Sequence, residues 1–113
     1  PTAHELLRAA GAEIVILPRA KQGLELLAVM AELARRECNE VHVECGSTLA
    51  GALLQVGLVD ELAIYMAPLL LGDKARGLFQ LPELAQMSER WELEILEMRA
   101  VGRDWRFRLK SLR

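Results

Sequence analysis

The sequence predicts an α/β domain: a mixed sheet in which parallel βα units end in an antiparallel hairpin, flanked by helices. Three observations carry this. Short apolar runs alternate with amphipathic helical stretches through the first half of the chain, the order of parallel strands joined by crossover helices. One run, Leu62 to Met66, is apolar without alternation, as in a strand covered on both faces. The stretch from Trp91 to Lys110 reads as two strands joined near Gly102. In the second, Trp105, Phe107 and Leu109 alternate with Arg106, Arg108 and Lys110.

Each element has its own local reason. Thr2 followed three residues later by Glu5 is a capping-box pattern, so a short helix is predicted over Thr2–Ala10, stopped by Gly11. Ile14–Leu17 is a compact apolar strand ended by Pro18. Gln22–Glu37 is a helix, because Leu26, Met30 and Leu33 share one face. Val41–Glu44 is a second short strand. Thr48–Val56 is a helix apolar nearly all round, hence buried, and Gly57 ends it. Glu61–Ala67 is the strand covered on both faces. Pro68 and Gly72 open a loop, and Pro82–Met87 adds a helical turn. Glu92, Glu94 and Glu97 lie where they can pair with the cations of the last strand.

The 113 residues carry 14 basic and 16 acidic side chains, a net charge of −2. That balance argues against a nucleic-acid or membrane-surface partner. The longest apolar stretches, Leu62–Leu71 and Thr48–Leu54, fall far short of the ~20 residues of a membrane span. Hydrophobic residues make up 52%, which excludes intrinsic disorder. A self-contained domain of this mass should expose ~6,000 Å², about a third of its unfolded surface. No signal peptide is visible near His4, Glu5 and Arg8. Cys38 and Cys45 suit a reducing cytoplasm, and with His4 and His42 they lack the close pairing of a zinc site. The chain begins at Pro1 and is expected to be a piece of something longer.

One segment carries chemistry: Val41-His42-Val43-Glu44-Cys45-Gly46-Ser47-Thr48-Leu49-Ala50-Gly51-Ala52-Leu53. A strand ends in an acid, and a turn of small residues opens a helix. Gly46 permits a close approach that a Cβ would block. The free amides of the helix start, with the hydroxyls of Ser47 and Thr48, suit a phosphate or other anion. Glu44 projects from a strand's carboxyl end, where open α/β sheets place ligands. On spacing alone the plainer reading, a tight βα turn with an N-cap, stands ahead.

That segment does not stand alone. It is followed by Leu58-Val59-Asp60-Glu61-Leu62, Tyr65-Met66-Ala67-Pro68, Leu71-Gly72 and Leu78-Phe79, and preceded by Gly11-Ala12-Glu13-Ile14-Val15-Ile16-Leu17-Pro18. Over nearly all 113 residues this pattern resembles the C-terminal half of the reductase domain of the bifunctional riboflavin-biosynthesis deaminase/reductase. The resemblance implies a dihydrofolate-reductase-like fold. It also implies NADPH-dependent reduction of 5-amino-6-(5-phosphoribosylamino)uracil, converting the ribosyl group to ribityl. By position, Glu44 matches the acid that contacts the pyrimidine. Gly46, Ser47, Thr48, Leu49, Ala50, Gly51 and Ala52 match the turn and helix start that receive NADPH. Cys45 stands where relatives in the wider fold often have glycine. Residues 1–113 would then be the C-terminal part of one reductase domain, with its N-terminal part and a deaminase domain upstream. No residue present is a convincing general acid, and the isolated chain is expected to lack reductase activity.

Other residues read as structural. Cys45 is a small packed residue, His42 a mid-strand histidine, Asp60 a turn residue and Tyr65 a core aromatic, while Lys74 and Arg76 sit in a solvated loop. Two rival functions are another dihydrofolate-reductase-like pterin or pyrimidine reductase and a catalytically silent nucleotide-binding or dimerisation domain. Turnover on several substrates separates the first, and the upstream sequence separates the second. The expected partners are a small phosphoribosylaminopyrimidine and a second copy of the chain. Spread-out aliphatic side chains, an open sheet edge and the aromatics Trp91, Trp105 and Phe107 favour a homodimer.

Overall fold

Thr2 and Glu5 cap the first helix reciprocally. In the computed structural model, which describes residues 1–113, the Glu5 amide donates to Thr2 Oγ1 at 3.2 Å and the Thr2 amide to Glu5 Oε2 at 2.6 Å. Two otherwise orphan donors are satisfied. Helix α1, Ala3–Ala9, follows, and Gly11 at φ +89° ends it. Helix α2, Leu26–Arg35, starts at Leu26 rather than Gln22. Residues 19–24 instead close a turn around Gly23, with a bridge between Arg19 and Leu24. Glu37 takes the left-handed position (φ +63°) that glycine usually fills at a helix end, and the Cys38 amide donates to Leu33 O at 3.1 Å.

These elements belong to one compact unit, Pro1–His42; Val43–Arg113 forms another. The first unit is organised by charge, since none of its helical residues is buried. Glu32 accepts from Arg35 Nε at 2.8 Å and from Arg36 Nε at 2.9 Å. Arg36 also grips Glu13 with both terminal nitrogens, at 3.0 and 2.5 Å. That pairing ties α2 to the segment after α1.

In the second unit, helix α3 runs Ser47–Gln55 and buries Gly51, Leu53 and Leu54. Gly57, at φ +73°, ends it as predicted. Three strands follow: β1, Leu62–Met66; β2, Leu93–Val101; β3, Asp104–Ser111. Their order is β1-β3-β2, with both pairings antiparallel. The closing hairpin turns at Gly102, φ +61°. A 3-10 turn at Met87–Glu89 stands near the helical turn expected over 82–87.

The parallel part of the expected sheet does not form. Ile14–Leu17 and Val41–Glu44 carry no regular secondary structure and join no ladder. A strand needs a neighbour alongside it, and neither run has one in this chain. Ile16 is accordingly 79% exposed. β1 was expected to be covered on both faces, but it is an edge strand, and Tyr65 and Met66 are exposed. Uninterrupted apolarity reports that a strand suits burial, not what covers it.

The register divides the sheet by chemistry. Ile64 and Met98 flank Phe107, while Leu62 and Ile95 flank Leu109, giving an apolar face. On the other face Ala63 and Glu97 flank Arg108, and Tyr65 and Arg99 flank Arg106. Ile95 and Met98 are three residues apart, so strict alternation would oppose them. The irregularity between Ile95 and Glu97 leaves Leu96 as an extra residue and returns both to one face. Only Leu53, Leu54 and Leu109 are buried hydrophobics, and the chain exposes 9677 Å², well above the ~6,000 Å² expected of a self-contained domain.

The paired guanidinium groups of Arg35 and Arg36 hold the Glu32 carboxyl at about 2, down from the ordinary 4.5. Its folded value is depressed. The stability it contributes is therefore complete above pH ~4.5 and is lost as pH falls toward 2. A side-chain NMR titration should place the Glu32 midpoint near 2. Thermal melting of wild type and Glu32→Gln should converge across the same window. A Glu32 midpoint near 4.5 would remove the coupling.

Candidate functional site

The residues singled out from the sequence fall on one continuous piece of the second unit. Glu44 lies two residues before the N-cap of α3, Gly46, and Ser47 through Ala52 form the first turns of the helix. Gly46 has ordinary extended angles, φ −82° and ψ 179°. As glycine it supplies no side-chain cap. The first helical bond runs from Ala50 N to Gly46 O at 3.1 Å. The amides of Ser47, Thr48 and Leu49 therefore have no acceptor within the helix. Thr48 and Leu49 are exposed. A Cβ built on Gly46 meets nothing within 4 Å, so open space adjoins these donors. Uncapped amides, the positive end of the helix dipole and free approach together fit an anionic group such as a phosphate.

Thr48 departs from the sequence reading. Its hydroxyl donates to Gln80 Oε1 at 3.0 Å, so its proton is committed within the protein. Gly51 departs further. An added Cβ there would lie 2.0 Å from Gln80 O and 2.8 Å from Gln80 C. The space beside Gly51 is filled by the protein's own backbone. Gln80 N also donates to Ser47 O at 3.0 Å. Gln80 was not identified from the sequence. The available signal was Gly51 itself, since a glycine inside a helix costs ~1 kcal/mol and asks for a close neighbour.

The remaining candidates are spread out. Cys45, expected to be packed, is exposed, as is Cys38; both thiols are free. The segment before α3 joins no sheet, which leaves Cys45 with no sheet to pack into. His42, expected mid-strand, is exposed in a segment that forms no strand. Asp60 sits in the bend before β1, and Lys74 and Arg76 lie in an exposed loop. Tyr65 is not a core aromatic: it is 60% exposed on the charged sheet face, and its hydrogen bond helps raise the Arg106 pKa after the larger effect of Glu97. On that face Glu97 accepts from Arg106 at 2.6 Å and from Arg108 at 3.2 Å, and Arg108 also donates to Glu61 at 2.5 Å. These bonds hold the Glu61 and Glu97 carboxyls below the usual carboxylate range. Arg106 Nε is buried without a partner. No helix is long and apolar enough to cross a membrane.

Residues 2–107 match the family model of the RibD C-terminal domain. This chain belongs to the RibD C-terminal domain family. A riboflavin biosynthesis protein RibD of Escherichia coli is 47% identical over 90 residues, covering 80% of this chain and 24% of that protein. A 5-amino-6-(5-phosphoribosylamino)uracil reductase of Buchnera aphidicola is 36% identical over 83 residues, covering 74% of this chain and 40% of the relative. A solved RibD of Acinetobacter baumannii superposes with a TM-score of 0.77 at 30% identity, covering 98% of this chain and 29% of that one. The RibD C-terminal domain thus has the dihydrofolate-reductase-like α/β fold that the resemblance implied. The chain spans about a quarter of the length of the first curated relatives it matches.

The two glycines of the RibD segment should respond differently to substitution. Gly51→Ala drives a methyl into the Gln80 backbone and should destabilise by ~1–3 kcal/mol, outweighing the gain in helix propensity. Gly46→Val meets open space and should cost under ~1 kcal/mol, the loss of a favourable N-cap type. Urea unfolding midpoints check both. Equal midpoints for the two variants would show that the Gln80 approach is relieved without strain.

Proposed function

We propose that the protein carrying this chain reduces 5-amino-6-(5-phosphoribosylamino)uracil to its ribitylamino product with NADPH, and that residues 1–113 are the C-terminal part of its single reductase domain. The observation that carries this reading is the start of α3. A glycine N-cap with open space beside it and the uncapped amides of Ser47, Thr48 and Leu49 lie directly after Glu44. The printed name of the Buchnera relative supports the same reaction.

Gly46, Ser47, Thr48, Leu49, Ala50, Gly51 and Ala52 form the cofactor-binding stretch. Within it the open amides hold phosphate oxygens, and Gly51 serves by letting the chain pack against the helix. Glu44 orients the pyrimidine by accepting its N–H groups, a charge-assisted contact. NADPH, when bound, supplies the hydride. The residues of this chain contribute position and electrostatics, which fix the reacting groups relative to one another. Two exposed thiols suit a reducing, cytoplasmic setting.

Kinetics of the intact protein test the division of roles. Glu44→Gln should weaken use of the pyrimidine by ~1–3 kcal/mol while NADPH affinity is kept. Gly46→Val should do the reverse, because its added methyls stand before the amides. Equal losses for both ligands in both variants would refute the assignment. Absence of NADPH-dependent turnover in the wild-type protein would refute the function.

The 113-residue chain is itself proposed to pair as a homodimer in solution. Leu69, Leu70 and Leu71 are exposed in the loop after β1, Met66 and Trp105 are exposed on the sheet, and such area invites cover. Sedimentation equilibrium of the 12.6 kDa chain at micromolar concentration should give about twice that mass. A single species at the monomer mass would exclude the dimer.

A further inference from the structure

Residue 80 lies far along the chain from the helix start, yet three bonds or contacts bring it there. Gln80 N donates to Ser47 O at 3.0 Å, Gln80 Oε1 accepts from Thr48 Oγ1 at 3.0 Å, and the Gln80 carbonyl lies against Gly51. Ser47, Thr48 and Gly51 are neighbours on the first turns of α3, at the one-, three- and four-residue spacings of a helix. Ser47 O accepts from Gln80 in addition to its place in the helical ladder, so the strap grips the helix at its backbone. The Gln80 side chain does a second thing. By accepting the Thr48 O–H hydrogen bond it leaves that hydroxyl only its acceptor lone pairs for any other group. Anion recognition at this turn then falls to the backbone amides, whose directions depend on how the first turn is held.

We propose that Gln80 is a positioning residue for the cofactor-binding turn: it acts through Thr48 and Ser47 to fix the amides that receive phosphate. The proposal rests on the functional reading above and deepens it. It assigns a role to a residue outside the Glu44–Ala52 segment. It also explains why Gly51 is glycine in a segment whose ligand side is served by Gly46: the strap that carries Gln80 needs the space.

The test uses the intact protein and NADPH, with affinity read by isothermal titration calorimetry, the KM for the pyrimidine read separately, and the unfolding midpoint recorded. Gln80→Ala keeps the backbone contacts and removes only the acceptor for Thr48. It should weaken NADPH binding roughly three- to tenfold, the range for one neutral hydrogen bond. The pyrimidine KM should stay at its wild-type value, and the midpoint should fall by no more than the loss of one exposed hydrogen bond. Thr48→Val should cause a similar loss. The double variant should be no worse than the weaker-binding single, because both remove the same bond. Unchanged NADPH affinity in Gln80→Ala overturns the proposal. Losses that multiply in the double variant overturn it too, and so does a rise in pyrimidine KM in parallel with the loss of NADPH affinity and a large fall in the midpoint, which would mark a structural role alone. Wild-type protein that binds no NADPH would defeat the functional reading together with this one. Wild-type binding with an indifferent Gln80→Ala would defeat this one only.

Discussion

The second unit depends on one close approach, the backbone of Gln80 against Gly51. A helix interior normally excludes glycine, because the residue gains nothing there and loses backbone entropy. Here the missing Cβ lets a distant piece of chain lie where a side chain would stand, 2.0 Å from the position a Cβ would take. That contact closes the chain between β1 and the 3-10 turn back onto α3. Without it, the hydrogen bonds to Ser47 and Thr48 would have no geometry to share. The helix start, with its uncapped amides, is then held by a segment distant in sequence rather than by a side-chain cap.

The sheet relies on a different constraint, the alternation of β3. As the central strand, β3 presents Leu109, Phe107 and Trp105 to one face and Arg106, Arg108 and Lys110 to the other. Each neighbour must match that division. β1 does so with Leu62 and Ile64 against Ala63 and Tyr65. β2 does so only by inserting Leu96. The charged face is then a connected set: Glu97 between Arg106 and Arg108, with Glu61 on the far side of Arg108. Single exposed ion pairs contribute little. A shared carboxylate across adjacent positions also fixes register, because a one-residue slip would put every cation on the apolar face.

What was legible in the sequence was local. The Thr2–Glu5 capping box, the Gly11 and Gly57 stops, the α3 helix and the Gly102 hairpin are written in residues a few positions apart. Of the three acids read as partners for the last strand's cations, Glu97 does bond Arg106 and Arg108, whereas Glu92 pairs with Arg90, and Glu61, which also holds Arg108, lies on β1, outside the hairpin whose register the sequence shows. Three things were not legible. Residues 14–17 and 41–44 have strand composition, but a ladder also needs a partner, and composition names none. β1 is apolar throughout, yet it lies at an edge and leaves Tyr65 and Met66 exposed. Gln80 carries no motif at all; its place follows from the path of the chain between Pro68 and Pro82.

The candidate segment shows why a family pattern and a structure answer different questions. The pattern assigns Gly46 and Gly51 alike to the cofactor. In the structure the two glycines have opposite surroundings: nothing stands within 4 Å of a Cβ on Gly46, whereas the Gln80 backbone occupies the space at Gly51. Gly46 also has angles any residue adopts, so neither strain nor packing within the chain requires glycine there. Nothing within the chain requires glycine at that position, and the proposed approach of a phosphate to the amides beside it would use the open space. Gly51 is the reverse case, required by the fold and only through the fold by the ligand. Under the proposed cofactor role, the ligand side of the segment is its first turn, Gly46 to Leu49, and the turn after it is the part that the Gln80 strap holds.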